Sequence, residues 1–198
     1  MSENLRATES VVDPERWVDE YGDYLFRYAL TRLRNPKTAE DIVQETFLAA
    51  LKSRSTFSGK SSEKTWFVGI LKHKIIDYFR KSSHEQPMSD FTANKDDITE
   101  ELFDRNGRWK KPPEKWDTDP IKVIEQDEFW VIFQNCLNKL HTKIADAFSL
   151  RELEGLDTEE ICDVLHLSKT NLWVMLHRAR IQLRQCLEIN WFGAGKPK

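Results

Sequence analysis

The residues whose types and spacing could do chemistry fall into three clusters, and each supports binding rather than bond-making. The most specific is Leu156-Asp157-Thr158-Glu159-Glu160-Ile161-Cys162-Asp163-Val164-Leu165-His166-Leu167-Ser168, followed by a segment dense in arginine. It reads as a helix-turn-helix. Asp157 can cap the first short helix while Glu160 reaches back in a capping box, with Ile161 and Leu165 facing the core. Ser168 can cap the next helix. His166 stands where such turns often carry Gly, and histidine tolerates a left-handed backbone better than most residues. On the second helix Leu172, Leu176, Ala179, Leu183 and Leu187 form an inward stripe. Thr170, Val174, His177, Arg178 and Ile181 lie about half a turn away, on a face that can enter a major groove. There Arg178 could read a base edge, and Thr170 or Asn171 could hold phosphates. Lys169, Arg180 and Arg184 add positive charge without a nearby acid. The competing reading is an ordinary solvated helix.

The second cluster is Ala39-Glu40-Asp41-Ile42-Val43-Gln44-Glu45-Thr46-Phe47, in which Asp41, Gln44, Glu45 and Leu48 share a helix face at three- and four-residue spacing. It makes an acidic, protein-binding face. The third, over 65–81, mixes an apolar stripe with basic and aromatic residues, a combination suited to unstacked single-stranded DNA. Trp66 within it has two readings, core packing and base stacking, and packing is favoured because aromatics at helical spacing usually belong to a core. Cys162 and His166 are four residues apart, but a structural zinc site needs four ligands and no further Cys or His cluster supplies them.

The elements that must position these clusters are helices. The 198-residue chain has only 7 Gly and 7 Pro, carries a formal charge of −3, and shows no alternating run of Val, Ile and Thr. After a polar stretch up to Val12, Asp13-Pro14-Glu15 looks like a helix start. Val18, Tyr21, Leu25, Tyr28 and Leu33 then recur at helical spacing. A second helix is expected over 37–51, with Ala39, Val43, Phe47 and Ala50 on one side, and a third over 65–81 after a Ser, Lys and Gly loop. Between 82 and 119 the periodicity fades, acids accumulate and Pro112-Pro113 breaks any helix, which reads as a linker. Trp109 and Trp116 inside it fit local packing or docking on a partner equally well. Helical pattern returns over 121–140, 142–153, 158–165 and 169–189, and the tail 193–198 looks disordered. The fold class is therefore all-α: two small helical domains joined by a flexible acidic linker.

Cys136, Cys162 and Cys186 are odd in number and widely spaced, which fits neither a disulfide framework nor a zinc knuckle and points to a reducing cytoplasm. The N-terminus does not read as a signal peptide, and no apolar stretch would insert in a membrane. Without a Gly-rich phosphate loop, a metal cluster or a nucleophile with its base, neither an enzyme nor a cofactor is expected.

Together these segments resemble the sigma-70 type initiation factors, specifically the extracytoplasmic-function (ECF) group, which keep a domain 2 and a domain 4 joined by a linker. Asp-x-x-Gln-Glu-x-Phe at 41–47 is similar to region 2.2, which implies that Asp41, Gln44, Glu45 and Leu48 grip core RNA polymerase, through its beta-prime subunit. The segment 65–80 is similar to regions 2.3 and 2.4, which melt and read the minus-10 element. His73, Lys74, Asp77 and Arg80 take that role by resemblance, with Lys60 and Lys64 in the preceding loop on the non-template strand. Leu-Arg-Glu-Leu-Glu-Gly at 150–155 and Leu-His-Arg-Ala-Arg at 176–180 resemble region 4, which reads the minus-35 element. This assigns Ser168, Lys169, Thr170, Asn171, Trp173, Val174, His177 and Arg178 to that contact. Leu140-His141 stands for the common Leu-Pro, and Trp173 for a more usual small or basic residue. The implied domains are 13–84, a linker 85–120, and 121–190. The implied partners are core RNA polymerase (beta-prime and beta subunits), promoter DNA and an anti-sigma factor. A stand-alone helix-turn-helix repressor is the rival, but it leaves the Asp41 face and the basic aromatic helix without a role.

Overall fold

The computed structural model describes residues 13–85, 123 and 126–192. The expectations for the polar N-terminus, most of the linker with Trp109 and Trp116, and the 193–198 tail lie outside the described residues. Those residues form helices and no strand, and packing divides the chain into two compact units, 1–78 and 79–198.

In the first unit Asp13 accepts a hydrogen bond from the Glu15 N–H at 3.2 Å and starts a short turn, Pro14–Arg16, that runs into α1, Trp17–Leu33. Arg34 then turns left-handed with φ 60°, and Asn35 caps α2, Pro36–Ser53, by accepting from Thr38 N–H at 3.1 Å. The third helix, α3, spans Glu63–Glu85, and its residues from Phe79 on count with the second unit. It is longer at both ends than the pattern suggested. Ser62 Oγ accepts from Thr65 N–H at 3.1 Å, so the helix starts inside the expected loop. At the other end, Ser82 and Ser83 return their hydroxyls to the carbonyls of Phe79 and Arg80 rather than breaking the helix.

Burial follows one stripe per helix. On α1 Trp17, Leu25, Ala29 and Leu33 are buried; Val18, expected on that face, is 61% exposed because Trp17 takes the inward position. On α2 Ala39, Val43 and Ala50 are buried as expected, together with Ile42 and Thr46, whose hydroxyl donates to Ile42 O at 2.8 Å. On α3 Phe67, Leu71, Ile75 and Phe79 recur every four residues and are all buried. Phe67 lies 5.0 Å from Trp17, 5.2 Å from Tyr21 and 5.4 Å from Phe47, ring centroid to centroid, so one side chain ties α3 to both neighbours. Removing a buried phenyl ring of this kind typically costs about 3–5 kcal/mol.

The second unit contains α4, Asp127–Asn138; α5, Thr142–Phe148, continued by a π-turn Ser149–Leu153; α6, Thr158–Leu165; and α7, Lys169–Leu187, which runs into a π-turn Glu188–Phe192. Helix α7 is the hub, packing against α4, α5 and α6. Its inward stripe, Leu172, Leu176, Ala179, Leu183 and Leu187, is buried as the spacing predicts, with Met175 added.

The cysteines depart from the reading above. Cys136 on α4 and Cys186 on α7 are joined in a disulfide across 50 residues of sequence, and Cys162 alone is free. Sequence spacing could not reveal the pair, because the two become neighbours only when α4 packs on α7. Chain-entropy arguments put the stabilisation from a loop of this length at about 4 kcal/mol. Urea unfolding of the oxidised chain is accordingly expected at a clearly higher midpoint than that of the Cys136→Ser, Cys186→Ser double variant. Coincident midpoints would show that the bond does not restrain the unfolded chain.

Candidate functional site

Three exposed helix faces carry the candidate residues. On α2 Asp41, Gln44, Glu45 and Leu48 all point to solvent on one side, while Ile42, Val43 and Thr46 bury the other. Leu48 is 58% exposed, so an apolar side chain sits at the end of an otherwise acid and amide face. That mixture suits a protein partner with basic and apolar contacts.

On α3 His73, Asp77 and Arg80 are exposed at four- and three-residue spacing, opposite the Phe67 stripe. Lys74 is half-buried, and its Nζ donates to Glu45 Oε2 at 3.0 Å. One ion pair therefore links a residue assigned to the protein-binding face with one assigned to the DNA-binding face. Lys60 lies in the α2–α3 loop and is exposed, after Gly59 at φ 66°. Lys64, however, is not a loop residue: it occupies the first turn of α3, with its ammonium 3.8 Å from the centre of the Tyr24 ring on α1. Trp66 packs, as the spacing favoured, its ring 4.8 Å from Phe57 and 6.0 Å from Trp17.

The helix-turn-helix is built as the cap residues demand. Asp157 Oδ1 accepts from Glu160 N–H at 2.9 Å, and Glu160 Oε2 accepts from Asp157 N–H at 2.8 Å, which completes the capping box of α6. His166 ends α6 in the left-handed region at φ 53°, and Ser168 Oγ caps α7 by accepting from Asn171 N–H at 3.2 Å. Ile161 is buried as expected, but Val164 rather than Leu165 is its buried partner, and Leu165 is half-buried. Arg151 braces the approach, donating to Leu156 O at 3.0 Å and to Thr158 Oγ1 at 2.6 Å. Its role as a positioning residue was not visible in the sequence. Cys162 is half-buried, and burial pushes its thiol pKa up.

The outward face of α7 differs from the expectation in two ways. Ile181 is only 3% exposed and belongs to the core, so the reading face ends before it. Ser168, Lys169, Thr170 and Trp173 are exposed, while Asn171, Val174, His177 and Arg178 are half-buried. The charge pattern also differs. Lys169 pairs with Glu159, Arg180 with Glu152 at 2.8 Å, and Arg184 with Glu188 at 2.7 Å, so none of these cations lacks an acid. The Lys169 contact lowers the Glu159 pKa. Glu152 and Arg180 are 28 residues apart, a pairing that no local spacing rule detects. Among the described residues no group of His, Cys, Asp and Glu could hold a metal ion, and no helix is long and apolar enough to cross a membrane.

One of the two helical units carries a helix-turn-helix, the class of element that presents its second helix to a DNA groove. Residues 17–85 match the family model for sigma-70 region 2, and residues 130–183 that for sigma-70 region 4. The chain is 40% identical over 169 residues to a "Probable RNA polymerase sigma factor" of Haemophilus influenzae, covering 82% of this chain and 84% of that one. It is 29% identical to the RNA polymerase sigma factor YlaC of Bacillus subtilis, with 91% and 94% of the two chains covered. To the ECF RNA polymerase sigma factor SigX of the same organism it is 25% identical, covering 86% and 81%. The chain belongs to the sigma-70 family of RNA polymerase sigma factors, in its extracytoplasmic-function group. It is a promoter-recognising initiation factor, and the family is not enzymatic.

His177 gives a direct check on the α7 face. Burial first, and then the Arg180 charge, lower its pKa below the ordinary 6.5. The folded imidazole is harder to protonate than the unfolded one, so the stability tied to it is present above pH 6.5 and erodes as the pH falls below that value. Titration of the His177 ring protons by NMR is expected to give a midpoint below 6.5. A midpoint above it would place the ring in a more solvated or more acidic setting.

Proposed function

We propose that the chain divides promoter recognition between a region 2 domain, 13–84, and a region 4 domain, 121–190, joined by a linker, 85–120. In this reading Asp41, Gln44, Glu45 and Leu48 bind core RNA polymerase at its beta-prime subunit. Lys60, Lys64, His73, Lys74, Asp77 and Arg80 hold the opened minus-10 strand, and Ser168, Lys169, Thr170, Asn171, Trp173, Val174, His177 and Arg178 grip the minus-35 duplex. The observation that carries the reading is the α2 face: Asp41, Gln44 and Glu45 stand exposed together with Leu48, 58% exposed, so acid, amide and apolar contacts are offered on one side of a rigid helix.

No bond is made or broken in this mechanism. Duplex opening is driven by preferential binding to unstacked bases once the polymerase supplies the remaining contacts. The Lys74–Glu45 pair is solvent-accessible, so giving it up to either ligand costs little. Acting on RNA polymerase implies the cytoplasm, where glutathione keeps most thiols reduced, so the region 4 domain is expected to keep its fold as the open dithiol as well. An anti-sigma factor that covers one or both domains completes the set of partners.

Run-off transcription with core polymerase tests the division of labour. Asp41→Ala is expected to weaken core binding roughly tenfold or more, the worth of one charge-assisted hydrogen bond. Arg178→Ala is expected to leave core binding unchanged and to reduce dependence on the upstream element by about 1–3 kcal/mol of discrimination. Equal loss of core affinity in both variants would contradict the assignment.

A further inference from the structure

On α7 the rings of Trp173 and His177 stack on one another along the outward edge of the helix. Trp173 is 60% exposed, unusual for the largest apolar side chain, and its ring lies 5.3 Å from that of His177 with only 7° between the planes. The two are one turn apart and follow Thr170 along the exposed edge of the helix. The neighbouring cations are held by acids, Lys169 by Glu159 and Arg180 by Glu152, so the edge presents a flat aromatic surface between paired charges. An aromatic side chain held by stacking loses little freedom on contact. In the major groove the one apolar feature of a base edge is the C5-methyl group of thymine.

We propose that the stacked Trp173–His177 pair is a specificity element that selects thymine in the upstream promoter duplex by covering its methyl group. The proposal rests on the reading that α7 enters the major groove of the minus-35 element. Cytosine presents no methyl there and offers an amino donor that the indole face cannot accept in plane, so the pair discriminates by burial rather than by a hydrogen-bond pattern.

The test uses holoenzyme assembled from the full chain and core polymerase. A promoter duplex selected from a library randomised upstream is resynthesised with deoxyuridine replacing each upstream thymine in turn, which removes one methyl group and nothing else. Wild-type holoenzyme is expected to lose affinity about three- to fivefold at one position, the worth of one buried methyl group, and Trp173→Ala is expected to bind the thymine and uracil duplexes equally. Trp173→Phe, which keeps an aromatic face, should retain part of the preference. Selected duplexes without a sensitive thymine, or a Trp173→Ala variant that keeps the full preference, would overturn the proposal. If scrambling the whole upstream element changes nothing, the underlying reading of α7 fails too, and that result is distinct from a uniform response to deoxyuridine. Unchanged thermal unfolding of Trp173→Ala identifies a loss of preference as a contact effect.

Discussion

The helix faces assigned a role are the backs of buried stripes, and the burial of Phe67 is the clearest instance of that constraint. Its ring meets Trp17, Tyr21 and Phe47, and so fixes α3 against both α1 and α2. With Phe67, Leu71, Ile75 and Phe79 locked inward, helical geometry leaves His73, Asp77 and Arg80 no direction but outward. The same logic holds on α2, where Ile42, Val43 and Thr46 inside leave Asp41, Gln44, Glu45 and Leu48 outside. A binding protein needs no strained catalytic geometry, only rigid helices that hold their outward faces still.

In the second unit the rigid element is the turn between α6 and α7. The capping box at Asp157, the left-handed His166 and the Ser168 cap fix how α7 starts, and Arg151 holds the approach to α6. The acids beside Lys169, Arg180 and Arg184 mute the long-range attraction of this helix for phosphate. Such surface pairs are individually worth little, so they do not prevent DNA contact. They do reduce the net positive charge that these three side chains bring to α7, in keeping with a chain of net charge −3.

What the sequence made legible is what depends on near neighbours. The capping box, the αL histidine, the Ser168 cap and the inward stripe of α7 are all set within a few residues, and each is found where spacing placed it. The boundaries of α3 slipped because Ser62, Ser82 and Ser83 read as loop formers, yet they bond to backbone groups at the helix ends. Long-range partners were invisible: Cys136 with Cys186, Arg180 with Glu152, Lys74 with Glu45. Ile181 was misplaced because a helical wheel assumes that one side of α7 is packed, whereas this helix meets α4, α5 and α6 and is covered over a wider arc. The candidate site was legible as a set of helix faces, and not in which of its charges are already paired.

The central claim is that this chain recognises DNA as one component of a larger machine. Fluorescence anisotropy of a labelled promoter duplex, titrated with the chain alone and then with the chain plus core RNA polymerase, tests it most directly. Tight, sequence-dependent binding is expected only when the polymerase is present. Equally tight and selective binding by the chain alone, unaltered when polymerase is added, would contradict it.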